Sequence, residues 1–184
     1  MMIGCFLFLE MPADATEKKT NQIAQLTSSK VYIYKKADAK ASKSKAGSRV
    51  NHSYYVRRVD GTFYRIEQGS KTIGWVKKNN LKLYNRKTIS AKKDVKYIIG
   101  LQKAYAMPLA RDTEMVYDLS QYVAKKITMV QYETIGTENW YKGKMGGKYV
   151  WFPEDSVTMY GYAAMNLHKA SSISVKEMRA FLLT

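Results

Sequence analysis

Short runs of aromatic and β-branched residues recur at intervals of about 8 to 12 positions, the spacing of an all-β chain. Ser53-Tyr54-Tyr55-Val56-Arg57-Arg58-Val59 is one such run, and Asp60-Gly61 supplies the turn after it. Thr62 to Glu67 predicts the returning strand, Gln68-Gly69-Ser70 a second turn, and Lys71-Thr72-Ile73-Gly74-Trp75-Val76 a third strand. Later, Asn139-Trp140-Tyr141-Lys142 leads into Gly146-Gly147, strong hairpin chemistry, and Lys148 to Phe152 returns until Pro153 stops the strand. In a strand Arg57 and Arg58 are expected on opposite faces, so that one of them serves any single surface. The only helical pattern lies near the end. Ser174-Val175-Lys176-Glu177 forms a capping box, with Met178, Phe181 and Leu182 on one face.

The pattern occurs twice. Lys30-Val31-Tyr32 opens a stretch that passes through Gly74-Trp75 and closes at Leu81-Lys82-Leu83-Tyr84. Lys103-Ala104-Tyr105 opens another, which passes through Val150-Trp151 and closes at Val157-Thr158-Met159-Tyr160. The openings lie 73 residues apart, the tryptophans and closing tyrosines 76 apart. A repeat of that length is one small globular module rather than a solenoid turn. Modules of this size bury modest cores, so the two are expected to pack on each other.

Residues 30–93 are therefore read as a first module and 94–164 as a second. Residues 16–29 form a polar linker, and 165–184 a tail with a short helix. Met1 to Leu9 is apolar and Ala13-Asp14-Ala15 follows, an order that resembles the remnant of a secretory signal peptide over residues 1–15. No segment reaches the ~20 apolar residues that span a bilayer.

Charge separates the modules. Of a net +16, residues 30–93 hold 18 Lys and Arg against 3 Asp and Glu, whereas residues 94–165 hold 8 of each sign. That imbalance points to a polyanionic partner for the first module. Lys35, Lys36, Lys40, Lys43 and Lys45 fall in an Ala/Ser-rich stretch that reads as a long mobile loop.

Catalytic chemistry finds little support. One cysteine, Cys5, and two separated histidines, His52 and His168, give neither a disulfide nor metal-ligand spacing. Asp112, Glu114 and Asp118 read as an exposed acidic loop rather than a glycosidase pair. Basic charge with interleaved tyrosines also fits single-stranded nucleic acid. The leader-like N-terminus argues against that reading.

The hairpin Tyr64 to Val76, with its Gly74-Trp75 dipeptide, resembles the signature of bacterial GW modules, which are Src-homology-3-like (SH3-like) β-barrels. The second repeat is similar to the partner module of autolysin targeting repeats at Lys103 to Pro108, Asp118-Leu119-Ser120 and Trp140-Tyr141-Lys142-Gly143. Two positions depart from the pattern. Val150 replaces the glycine before Trp151, and Pro108-Leu109-Ala110 stands where Pro-Trp-Gly is common. The valine suggests that its position needs no left-handed backbone.

The resemblance implies two tandem SH3-like barrels without cofactor or metal, noncatalytic, secreted and held noncovalently on a Gram-positive surface through lipoteichoic acid. It further implies that such a chain is the targeting part of an autolysin. The alternatives are an adhesin for host sulfated glycans, or a fragment of a peptidoglycan hydrolase (amidase or N-acetylglucosaminidase) without its catalytic domain. Nucleic acid is not an expected partner. The candidate polyanion contacts are Arg57, Arg58, Arg65, Lys71, Lys77, Lys78 and Lys82. Tyr32, Tyr64, Trp75, Tyr84, Tyr105, Trp140, Trp151 and Tyr160 read as barrel core. Trp140 is the one best suited to face a ligand.

Overall fold

A computed structural model describes residues 17–111, 114–161 and 163–166. The signal-peptide reading of residues 1–15 and the helix expected over 174–182 lie outside the described residues. Of the described residues near the end, 161 and 163–166 are helical.

Every described strand pairing is antiparallel. The first seven strands are β1 (Lys18–Leu26), β2 (Tyr32–Tyr34), β3 (Lys43–Lys45), β4 (Ser53–Asp60), β5 (Phe63–Gln68), β6 (Lys71–Lys77) and β7 (Leu81–Ser90). They pair in the order β7-β1-β4-β5-β6-β2-β3. The next seven are β8 (Asp94–Ile98), β9 (Lys103–Tyr105), β10 (Met115–Asp118), β11 (Lys126–Ile135), β12 (Glu138–Met145), β13 (Lys148–Pro153) and β14 (Val157–Thr158). Their order is β14-β8-β11-β12-β13-β9-β10, the same topology repeated. Each tryptophan strand is followed by a single 3₁₀ turn, Lys78–Asn80 or Glu154–Ser156, before the closing strand. The sheet is open along this path, and each half has its own SH3-like core.

Two expectations need correction. The stretch expected to be a linker contains β1, the counterpart of β8. It pairs with both β4 and β7. Its polar start hides the pattern, but Ala24 and Leu26 enter the first core while Ile23 packs on the other side against the second module. Burial on both faces removes the alternation that marks a half-exposed strand. The supposed lysine loop likewise contains β3. There Lys43 places its ammonium 4.7 Å from the Tyr32 ring centroid.

The structural repeat also shifts the sequence repeat by two residues at its opening. Trp75 pairs with Tyr34, and Trp151 pairs with Tyr105. Tyr34, not Tyr32, is thus the partner of Tyr105. Tyr34 is 6% exposed and Tyr32 40%. A shift of two keeps the face, so the two openings match in pattern in either register.

Gly74 shows why the dipeptide needs its glycine. Its φ is +150°, and a Cβ there would lie 2.5 Å from the Ile33 side chain and 2.8 Å from the Tyr34 carbonyl oxygen, where β2 crosses β6. Val150 holds an ordinary backbone and is 1% exposed in the second core, so the left-handed requirement is absent there.

The halves are joined by one strand. β7 pairs through Leu81–Asn85 with β1, then through Arg86–Ser90 with β11. At the crossing Arg86 donates two bonds of 2.9 Å to Glu133, whose side chain is 1% exposed. Ile23, Met107, Ile135, Trp140 and Trp151 form an apolar cluster across the junction, with Tyr55 packed against it. The expected packing of one module on the other is present.

Three outcomes follow. Gly74→Ala is expected to cost about 3 kcal/mol through overpacking and strain, measured by denaturant unfolding. Arg86→Met leaves Glu133 buried and uncompensated, at a cost of about 3–5 kcal/mol, while Arg86→Met/Glu133→Leu recovers most of it. Burial, then Glu114, raises the Tyr54 phenol to about 12. Its neutral form is favoured in the fold, so that stability is complete below pH 10 and is lost as pH climbs toward 12. Tyr54→Phe should flatten this alkaline slope in melting experiments.

Candidate polyanion-binding groove

Three of the seven candidate cations meet in one place. β4 carries a bulge at Arg57: Val56 is opposite Ile66, and Arg58 is already opposite Arg65. An extra residue in one strand breaks the strict alternation of faces. Arg57 and Arg58 are consequently both exposed, and both line a concavity of about 400 Å³ with Lys19, Thr20, Asn21, Arg65 and Glu67. β1 has its own irregularity between Lys19 and Gln22 along the same wall. The expectation that the two arginines face apart is overturned by that one bulge, which no composition rule announces.

The groove is held by buried charge. Glu67 is 3% exposed. It accepts from Arg57 Nη1 at 2.8 Å and from Arg65 Nε at 2.8 Å and Nη2 at 2.7 Å. Arg65 also lies over the Trp75 ring, 6.0 Å from its centroid, and Arg57 over Tyr55 at 5.0 Å. Arg58 is paired with Glu17, whose hydrogen bond raises the guanidinium pKa further. Four cations thus stand against two carboxylates. Each guanidinium has five N–H donors, so those not spent on Glu67, Glu17 and the Gly69 carbonyl remain for an anion. A carboxylate beneath two arginines lowers the net charge but fixes their geometry, so less order has to be imposed when a ligand arrives.

The other four candidates lie elsewhere. Lys71 is exposed at the β5–β6 turn. Lys77 and Lys78 line a separate concavity of about 630 Å³ with Leu81 and Leu83. Lys82 lies 5.2 Å from the Tyr84 ring centroid, and its bond to Tyr84 raises its pKa. The basic residues therefore surround the first module instead of forming one patch. Arg86, one of the 18 basic residues of the first module, is spent internally on Glu133.

The aromatics are mostly structural. Trp75 packs with Tyr34 and Phe63, and Tyr64 rests on the first core. Trp140 and Trp151 are 3% and 2% exposed at the junction, with Tyr84 and Tyr105 packed beside them. Trp140 is thus walled in rather than presented as a platform. Tyr160 is 57% exposed, outside the barrel core. The acidic loop also differs from expectation, because Glu114 is 8% exposed and faces the first module. Among the described residues no three His, Cys, Asp or Glu side chains converge as a metal site, and no helix is long and apolar enough to cross a membrane.

Comparison with known proteins gives the following. A solved structure from Listeria monocytogenes, described as a "putative autolysin", aligns at 19% identity with a TM-score of 0.38. The alignment covers 79% of this chain, and the chain spans 65% of that structure's length. No curated protein matches. The model of the GW (Gly-Tryp) dipeptide domain matches twice, over residues 13–82 and 85–158, the first match including β1 and the boundary between the two falling within β7. The chain belongs to the GW (Gly-Tryp) dipeptide domain family.

Proposed function

We propose that this chain is a noncatalytic wall-targeting unit that holds a polyanionic surface polymer, lipoteichoic acid, through the arginine groove of its first module. The observation that carries the reading is the bulge that turns Arg57 and Arg58 to one side beside Arg65. Membership of the GW family supports a binding role. The reading makes the protein secreted and noncovalently attached, the targeting part of an autolysin.

A flexible phosphodiester loses conformational entropy on binding, so single contacts are weak and affinity comes from several together. The groove meets one stretch of polymer with three guanidiniums. Lys71, Lys77, Lys78 and Lys82, dispersed around the same module, meet further turns of the chain as it wraps. Neutralising each phosphate releases counterions, which makes the affinity depend on salt.

Titration with lipoteichoic acid between 50 and 500 mM salt should give a log–log slope of about −2 to −3 if the groove arginines dominate. Arg58→Gln should lower that slope by about one unit. Affinity indifferent to salt would reject the electrostatic reading.

A further inference from the structure

We propose that Glu114, a residue of the second module, is a positioning residue for the basic groove of the first. The inference rests on the groove being the polyanion site.

The Glu114 side chain is 4% exposed. Its Oε2 accepts from the Ser53 backbone N–H at 2.9 Å, and its Oε1 accepts from Gln68 Nε2 at 3.3 Å. His52 Nδ1 lies 3.2 Å from Oε1. All three partners belong to the first module. Ser53 begins β4 and Gln68 ends β5, so the carboxylate ties the open end of the hairpin that carries Arg57, Arg58 and Arg65.

Gln68 is the critical partner. It lies between Glu67, which holds Arg57 and Arg65, and Gly69, whose carbonyl accepts from Arg57 Nη1 at 3.2 Å. Fixing Gln68 fixes both groups that aim Arg57. The segment bearing Glu114 is itself fastened to the first module. The Leu109 carbonyl accepts from Ser53 Oγ at 2.7 Å and Gln25 Nε2 at 2.8 Å, and Arg111 Nη1 donates to Asn51 Oδ1 at 3.1 Å. Leu109 takes a left-handed φ of 56° to turn that carbonyl inward. Strain of this kind persists only where surrounding contacts over-determine it. The neutral module therefore contributes shape to its neighbour's site while adding no net charge of its own.

The test uses a difference in sign. Glu114→Ala removes a negative charge, so if charge alone governs binding the full-length variant should hold lipoteichoic acid more tightly. Positioning gives the reverse: about threefold to tenfold weaker binding at constant ionic strength, with one cooperative melt retained. Glu114→Gln, which keeps an acceptor for Ser53, should restore most of the affinity. In ¹⁵N spectra the Arg57 and Arg65 Nε–Hε signals should broaden in the alanine variant without ligand. Unchanged signals together with equal or tighter binding would overturn the proposal. If the unaltered protein does not bind lipoteichoic acid, the functional reading fails. The guanidinium signals then decide this inference by themselves: broadening supports it and constancy overturns it. If Glu114→Ala does not fold, Gln68→Ala replaces it with the same expectations, because Gln68 is exposed and leaves the Ser53 and His52 contacts in place.

Discussion

The buried carboxylate of Glu133 fastens the two halves of this chain where β7 passes from one to the other. It is almost wholly removed from water, and among the described residues its charge is matched by Arg86, presented from β7 at the point where that strand leaves the first module for the second. An ion pair so placed contributes modestly when intact but is costly to break, because the survivor keeps its desolvation penalty. It therefore acts less as an adhesive than as a register lock. The β7–β11 ladder must align so that the guanidinium meets the carboxylate, and the apolar cluster around Trp140 and Trp151 closes over that alignment.

The same device recurs at the groove. Glu67 sits beneath Arg57 and Arg65 much as Glu133 sits against Arg86, one carboxylate dictating where guanidiniums point. In both places buried acid organises base. This gives a physical reason for a strongly basic module to keep one of its few acidic residues in its interior. The long arginines would otherwise sample many rotamers, and ordering them would cost affinity for a ligand that is itself flexible.

The two departures from the family pattern also acquire physical meaning. Val150 can replace glycine because in the second module the position is an ordinary, deeply buried core site. Leu109 keeps a backbone conformation that suits glycine, and its carbonyl is committed to Ser53 and Gln25 across the junction. Neither departure damages the fold. Val150 belongs to the second module's own core, whereas Leu109 serves the contact with the first module.

Much of the architecture was legible in the residue order. The strands from Ser53 to Val76 and from Asn139 to Phe152, their glycine turns and the duplicated plan all follow from local propensity and period, which act within a few residues. The concentration of positive charge on one module is likewise a property of composition. What local pattern does not record is which residues meet across the chain. β1 read as a linker because burial on both faces erases alternation, and the pairing of Tyr34 with Trp75 was hidden by a two-residue slip that preserves the face. The shared side of Arg57 and Arg58 depends on a bulge fixed by the register against β5. The withdrawal of Arg86 from the surface and of Glu114 from its acidic loop depends on partners 47 and 61 residues away. The sequence by itself determined the β modules and their charge. Tertiary pairing alone decided which charges are free to bind and which hold the molecule together, because a side chain's role is set by its neighbours in space.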